Sequence, residues 1–178
     1  MPCLIFRTEP LPLHSTISDV VVTGNIFRSQ NEVSRCTLCL QTQVEALSCV
    51  YAGIVFTGNT FDGDIDFSDK RNPAKTTLKD VIFADNLCNG DLLSVPASTM
   101  ASSTVVVRGN LLRHAGIITL NASEWVWSGN THANGTLDIA AGAQANIVRD
   151  NVTSTPVTDR GTESVLNANL VRKPITKP

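Results

Sequence analysis

Long apolar runs, an excess of charge of one sign and an even set of cysteines are all missing from this sequence. The longest apolar stretches, such as residues 81–84, have four residues, whereas a membrane-spanning helix needs about 20. The 14 basic and 16 acidic residues nearly cancel, and the basic ones are scattered, so no basic stripe for nucleic acid is present. The first residues, MPCLIFRTEPLPLH, lack the apolar stretch of a signal peptide. We therefore expect neither a membrane nor a nucleic acid as a partner.

The five cysteines show no spacing typical of a disulfide framework. Cys36 and Cys39 form a CxxC, the pattern of zinc and redox sites, but they lie in the strand-like run RCTLCL. Residues three apart on a strand point to opposite faces, and the sequence has no second CxxC. We expect reduced, structural cysteines and no metal site built on them.

An internal repeat organises the apolar residues, which make up 42% of the 178 and suffice for one folded domain. Each repeat is an apolar triplet, a linker residue, Gly or Asp, and then Asn. Six segments align in this way without gaps: VVVTGNIF (20–27), IVFTGNTF (54–61), VIFADNLC (81–88), VVVRGNLL (105–112), WVWSGNTH (125–132) and NIVRDNVT (146–153). The repeated asparagines are Asn25, Asn59, Asn86, Asn110, Asn130 and Asn151.

A second strand follows several of these asparagines. Four segments align on their glycines: GDIDFS (63–68), GDLLSV (90–95), GIITLN (116–121) and GTLDIA (135–140). Helical periodicity is absent and β-branched residues dominate, which favours strands. The sequence predicts an all-β fold, a right-handed parallel β-helix solenoid of about six to seven coils. We place the β-helix at residues 18–157, after an N-terminal extension (1–17) and before an extended C-terminal tail (158–178).

The asparagine suits a bend that recurs at every coil. Gly-Asn and Asp-Asn tolerate the left-handed backbone conformation that such a bend needs. Stacked asparagines can also pass amide hydrogen bonds from one coil to the next. We therefore expect a structural, inward-facing asparagine ladder, in which replacement of Asn110 would leave buried polar groups without partners.

This pattern resembles the right-handed parallel β-helix superfamily, which includes pectate lyases and phage tailspikes. The resemblance covers roughly residues 18–155. It implies the fold and nothing specific about activity. Enzymes of this group usually have many more coils and an N-terminal capping helix, for which this sequence has no room before Ser18. The chain therefore reads as one part of a longer β-helix.

Alternate residues of a strand share a face, so positions counted back from each asparagine can be sorted. Two positions back, the residues are mostly polar, and this column is expected to face outward. Three positions back lies the expected core: Val22, Phe56, Phe83, Val107, Trp127 and Val148. Four positions back, again outward, every residue is aliphatic: Val21, Val55, Ile82, Val106, Val126 and Ile147. Such a regular exposed column predicts a contact surface, here a homotrimer interface, unless the chain's own insert at 28–52 covers it.

Carboxylates give the one candidate for chemistry. Asp64 and Asp91, one residue after aligned glycines, are expected on neighbouring coils, with Asp66 also facing out. Close carboxylates can bind Ca²⁺ or divide acid and base roles in cleaving a glycosidic bond. The alternative is a solvated acidic edge. Apart from Ca²⁺, no cofactor is expected.

Three function classes remain open. The favoured one is a tailspike-like module of a viral or bacterial surface assembly, on a virion or in an extracellular location, that binds and in one version cleaves cell-surface polysaccharide. The second is a stand-alone polysaccharide lyase or glycoside hydrolase, and the third a non-catalytic structural or adhesive β-helix. His132 takes the place of Phe27 and Phe61 in its repeat, and we expect a core or turn histidine there.

Overall fold

The computed structural model describes residues 4–7, 13–28, 36–42, 46–67, 72–90, 92–93, 101–113 and 116–172. Across these ranges the chain forms short strands and one 3-10 turn at Pro73–Lys75, and the strand pairs are parallel. The chain is therefore an all-β protein of parallel strands in stacked sheets, which fits a β-solenoid.

In chain order the strands are β1 (Leu4–Arg7), β2 (His14–Ser18), β3 (Val21–Thr23), β4 (Ile26–Phe27), β5 (Cys36–Gln41), β6 (Ser48–Ala52), β7 (Val55–Thr57), β8 (Thr60–Phe61), β9 (Asp64–Asp66), β10 (Thr76–Ala84), β11 (Leu87–Cys88), β12 (Leu92–Leu93), β13 (Ala101–Arg108), β14 (Leu111–Leu112), β15 (Ile117–Leu120), β16 (Trp125–Ser128), β17 (Thr131–His132), β18 (Thr136–Ile139), β19 (Ile147–Arg149), β20 (Val152–Thr153), β21 (Thr158–Asp159), β22 (Val165–Asn167) and β23 (Leu170–Val171).

Four parallel sheets run along the stack. Sheet I contains the apolar triplets, in the order β2-β6-β10-β13-β16-β19-β22, with β3 and β7 alongside. Sheet II contains the strands that follow the asparagines, in the order β4-β8-β11-β14-β17-β20-β23. Sheet III is β1-β5-β9-β12 and sheet IV is β15-β18-β21, which together hold the predicted second strands. The term level is used for one full turn of strands around the stack.

The triplets stack residue on residue, as the gap-free alignment predicts. Phe56 pairs with Val22 on one side and with Phe83 on the other. The same register continues through Val107, Trp127 and Val148. Identical offsets from the asparagine therefore put equivalent side chains in one column.

Much of the core lies in two columns, three positions before and two positions after each asparagine, and sheets III and IV add buried residues such as Ile65 and Leu137. Phe56, Phe83, Trp127 and Val148 have at most 1% of their surface exposed. Aromatic rings stack along the second column, where the centroids of Phe27 and Phe61 lie 5.1 Å apart. Complete burial of a large apolar side chain is worth roughly 1.5–3 kcal/mol, so these two columns are a main source of the stability.

Both predicted ends of the β-helix need correction. Strands β1 and β2 lie within the supposed N-terminal extension, yet they pair with β5 and β6. Strands β21, β22 and β23 lie within the supposed tail, yet they continue sheets IV, I and II. The aligned triplet at 164–166 begins with the polar Ser164 and Ala168 replaces Gly or Asp, so the motif is weakened there while the backbone repeats it.

Each level turns at two left-handed corners. One is the residue directly before the asparagine, predicted from the Gly-Asn and Asp-Asn pairs and occupied by Gly24, Gly58, Asp85, Gly109, Gly129, Asp150 and Ala168. The other lies six residues before the asparagine and is occupied by Asp19, Gly53, Asp80, Thr104, Glu124, Ala145 and Glu163. Sequence reasoning missed this second corner because Thr, Glu and Ala rarely adopt positive φ and so give no turn signal.

Thr104 should be the most strained residue of the second corner. It is β-branched, exposed and held at φ 55°. We expect Thr104→Gly to raise the free energy of unfolding by roughly 0.5–1 kcal/mol, because relief of left-handed strain exceeds the added entropy of the unfolded chain. Urea unfolding of the two proteins measures this difference. The matched control is Ser103→Gly, next to it in β13, which should destabilise; a loss in both variants would contradict the argument.

Candidate functional site

The repeated asparagines are joined by hydrogen bonds from level to level. The backbone N–H of Asn59 donates to Oδ1 of Asn86 at 2.9 Å, and Asn59 Nδ2 donates to the same oxygen at 3.1 Å. The second Nδ2 hydrogen of Asn59 reaches back to the carbonyl oxygen of Val22. The pattern repeats at Asn86, Asn110, Asn130 and Asn151.

These hydrogen bonds matter for stability because most of the asparagines are buried. Asn59, Asn86, Asn110, Asn130 and Asn151 are at most 2% exposed, so water cannot replace a lost partner. Asn25, at the first level, is exposed. Asn169, which the motif search did not find, accepts from the backbone and side chain of Asn151.

A further buried asparagine occupies the first position of the sixth triplet. Asn146 is fully buried, accepts from the backbone N–H of Trp125 at 3.0 Å and donates to the carbonyl oxygen of Ala122 at 2.9 Å. The triplet alignment treated this position as apolar. No repeat of the residue type marks it, so sequence reasoning had no signal for its role.

The aliphatic column proposed as an interface is in register from Val21 to Ile147. Val21 is 66% exposed and Ile147 38%, while the four residues between them are half-buried. Val165 extends the column by one level and is exposed. In the polar column beside it, Ala84 is the exception and is buried.

The described portions of the insert at 28–52 belong to the parallel sheets and do not cover the aliphatic column. Its described portions form β5 in sheet III and β6 in sheet I, both paired with other levels. Those two strands are components of the stack and do not form a separate layer over it. Residues 29–35 and 43–45 lie outside the described residues.

Sheet II carries a second outward column, one position after each asparagine. Its members are Ile26, Thr60, Leu87, Leu111, Thr131, Val152 and Leu170. The two end residues are each 63% exposed and the others half-buried. Sequence reasoning missed the column because threonine interrupts the aliphatic residues at two of its seven levels.

The acidic candidates are not arranged as predicted. Asp64 is half-buried, while Asp66 is only 9% exposed and counts as buried, so the two do not both face solvent. Asp66 lies in a central strand of sheet III, with Cys39 on one side and Leu93 on the other. Strand β5 also shifts register between Cys36 and Leu38, which a pattern of strict alternation cannot anticipate. Asp91 lies outside the described residues.

Close backbone stacking explains the aligned glycines of sheet III. A Cβ atom added to Gly90 would lie 2.3 Å from the carbonyl carbon of Gly63. Real atoms cannot approach so closely, so a larger residue at Gly90 would force the two levels apart. These glycines are therefore explained by packing and give no support to a reactive site beside them.

His132 belongs to the core, as predicted. Its Nε2 accepts a hydrogen bond from Trp127 Nε1 at 3.1 Å, and its Nδ1 is buried without a partner among the described residues. Burial lowers the pKa of His132 to about 4. Of the other histidines, His14 is exposed beside Ser48, and His114 lies outside the described residues.

The described cysteine thiols are buried and reduced, at Cys39, Cys49 and Cys88. Burial raises the pKa of Cys88 far above its usual range, which makes that thiol inert. The side chain of Cys36 lies outside the described part of the chain. Within the described ranges, no three His, Cys, Asp or Glu side chains are grouped to hold a metal ion. No helix in those ranges has the length and apolar character needed to cross a membrane.

The candidate functional features of the described part of the chain are therefore columns of equivalent side chains on the outer faces of the sheets. Compared with family models, with curated proteins and with solved structures, the chain matches none.

Proposed function

We propose that this chain is a right-handed parallel β-helix with an asparagine ladder, and that it serves as a tailspike-like module of a viral or bacterial surface assembly. In this role it forms a homotrimer, on a virion or other extracellular surface, and binds cell-surface polysaccharide. The observation that carries the proposal is the in-register aliphatic column on the outer face of sheet I.

A general rule of strand connections and the repeated corners support the proposed handedness and number of coils. Connections between parallel strands of one sheet are right-handed in about 98% of cases, which favours the right-handed solenoid. Seven asparagines, from Asn25 to Asn169, each follow two left-handed corners at the same offsets. We infer about seven coils on this basis.

The trimer is supported by the exposed aliphatic side chains. Neighbouring levels are about 4.8 Å apart, so the column from Val21 to Ile147 is roughly 24 Å long. Removing each aliphatic side chain from water is worth up to roughly 1.5 kcal/mol, less for those already half-buried. The column on sheet II offers a second apolar face, but a threefold axis beside sheet I is the arrangement that brings each residue of the sheet I column next to its equivalents in the other two copies.

Polysaccharide binding is supported by the polar row between the two apolar columns. Arg108 and Arg149 are exposed, Ser128 is half-exposed, and successive members of the row lie in paired strands. Guanidinium groups and hydroxyls at a regular spacing suit a polymer that repeats hydroxyl and carboxylate groups. Ca²⁺ at Asp64 and a hydrolase or lyase activity remain alternatives without further support.

The assembly is tested by placing charge on the aliphatic column. We expect the double variant Val106→Lys, Val126→Lys to lose the trimer, leaving monomers or aggregates at the low concentration of gel filtration, because lysines would be buried against equivalent lysines at the interface. Ser128→Lys, on the adjacent polar column, is the control and should still form the trimer. Light scattering after gel filtration measures the mass in each case. A wild-type protein that remains a 19.1 kDa monomer at micromolar concentration would rule out the trimer.

Glycan binding needs its own measurement. Wild-type protein should bind at least one capsular or surface polysaccharide on a glycan array, and Arg108→Ala, Arg149→Ala should weaken that binding without changing the mass of the assembly. Release of oligosaccharides from the bound glycan would favour the lyase or hydrolase alternative. Failure to bind any surface glycan would leave only the structural or adhesive β-helix.

A further inference from the structure

The row of asparagines has a direction. At every described level from Asn25 to Asn151, the backbone N–H and side-chain Nδ2 donate to Oδ1 of the asparagine that follows along the chain. Each Oδ1 therefore accepts from the preceding level, whereas the backbone N–H and one Nδ2 hydrogen donate to the following level. The two ends of the row must be chemically different.

At the first level, the acceptor is unused. Oδ1 of Asn25 accepts no hydrogen bond from the described residues, whereas Oδ1 of Asn59 accepts two. The Nδ2 of Asn25 also lacks a preceding carbonyl and donates instead to Thr23 of its own level.

At the last described level, the donors that would reach a following level are unused. Asn169 donates through Nδ2 to the carbonyl oxygen of Val148 at 3.0 Å, as its equivalents do. Its backbone N–H and its second Nδ2 hydrogen have no acceptor among the described residues. The buried hydroxyl of Ser164, in the same level, likewise lacks a partner there.

Apolar side chains are exposed at the same end. Leu166 is 42% exposed although Val148, its equivalent one level earlier, is fully buried. Val171 is 49% exposed whereas Thr153 is 1% exposed. Strands β22 and β23 end their sheets, so each has an unpaired edge within the described chain. Among the described residues, both the backbone ladders and the core columns thus stop without a cover.

We propose that the end face formed by β22, Asn169 and β23 binds the first level of a second copy of this chain, head to tail. Asn169 then donates to the free Oδ1 of Asn25, and Asn25 Nδ2 turns from Thr23 to the carbonyl oxygen of Leu166. The backbone N–H of Ala168 donates to the carbonyl oxygen of Thr23. Each of these bonds repeats one that already joins neighbouring levels.

A second copy is the occupant because a single chain carries both halves of the contact. The free acceptor at Asn25 and the free donors at Asn169 lie in one row, at matching offsets from their strands. The contact joins two different surfaces and does not close on itself, so it predicts open filaments. It is independent of the lateral contact through sheet I.

Cross-linking tests the geometry. Ile26 and Leu170 occupy the same outward position of the first and last levels of sheet II, and each is 63% exposed. In the docked pair they lie on adjacent parallel strands, about 4.8 Å apart and within disulfide reach. Ile26→Cys and Leu170→Cys proteins, mixed and oxidised, should give mixed dimers. Each variant alone and the wild type should give few. Absence of mixed dimers, or homodimers in equal amount, overturns the proposal.

A pair of end variants tests the hydrogen-bond direction. Asn169→Asp keeps the acceptor for Asn151 but removes the Nδ2 donor and sets a carboxylate against Oδ1 of Asn25. We expect association to weaken at least tenfold in sedimentation velocity over a concentration series. Asn25→Asp keeps the acceptor for Asn169 and loses only the Nδ2 bond to Leu166, so its association should weaken less than that of Asn169→Asp. Circular dichroism checks that both fold.

The background for these measurements is the Val106→Lys, Val126→Lys variant, which removes the lateral contact. Concentration-dependent association in that background supports the head-to-tail contact whether or not the trimer forms. A particle of fixed mass, as expected if a later segment of the same chain covers the end face, overturns it. Equal loss of association in both end variants overturns it as well.

Discussion

Asn110→Ala is expected to lower the free energy of unfolding by about 3–5 kcal/mol, a large effect for one side chain. The amide of Asn110 takes part in four hydrogen bonds: two accepted from Asn86, one donated to Asn130 and one donated to Phe83. Alanine removes all four, which leaves the backbone and side-chain donors of Asn86 buried without this acceptor and takes one donor from the Phe83 carbonyl. Urea unfolding followed by circular dichroism measures the change.

The matched control for this variant is Asn25→Ala. Asn25 makes the same kind of bond to Asn59 but is exposed, so water replaces what alanine removes. We expect a loss below about 1 kcal/mol there. Equal losses in the two variants, or a loss under about 1 kcal/mol at Asn110, would show that the buried bonds do not stabilise the stack.

The sequence predicts which side chains are stacked in one column of the fold. The spacing of the triplet from the asparagine determines which side chains share a column, because strand alternation and parallel register leave no freedom. Phe56, Phe83 and Trp127 were predicted to be core residues on this ground, and they are buried. The level-to-level hydrogen bonds were likewise foreseeable, since one polar residue type recurs at one offset.

Corners made by ordinary residues were not predictable. Thr104, Glu124 and Ala145 adopt positive φ only because the levels above and below have already fixed the path of the backbone. Their local preferences oppose this conformation, so tertiary packing determines it. Ala168 is a similar case at the last level, where a non-glycine corner concealed the final repeat and led to the wrong C-terminal boundary.

The expected exposure of Asp66 was wrong for a different reason. Strict alternation placed Asp64 and Asp66 outward, but outward is not the same as exposed in the central strand of a sheet. Neighbouring strands on both sides cover Asp66. A prediction of exposure needs the side chains of the adjacent levels, and the inserts between early levels made those hard to assign from sequence.

His132 is the buried group that should make stability depend on pH. Its ring is 2% exposed, its Nδ1 has no partner among the described residues, and Trp127 fixes its Nε2 as an acceptor. Protonation would put a positive charge in an apolar column and would break the bond from Trp127. Burial therefore lowers the pKa of His132 from 6.5 to about 4.

We expect this group to remove about 3 kcal/mol of stability as the pH falls from about 6.5 to 4. In that window the unfolded chain binds a proton at residue 132 and the folded chain does not, so unfolding is favoured; above it the contribution is complete. His132→Phe, which introduces the residue found at the aligned Phe27 and Phe61, is the control. It loses the acceptor for Trp127, so it should be less stable at neutral pH, but its stability should fall less between about pH 6.5 and 4.5. Urea unfolding at several pH values isolates the group, because every other titratable residue is common to both proteins. Parallel pH profiles for the two proteins would contradict the assignment.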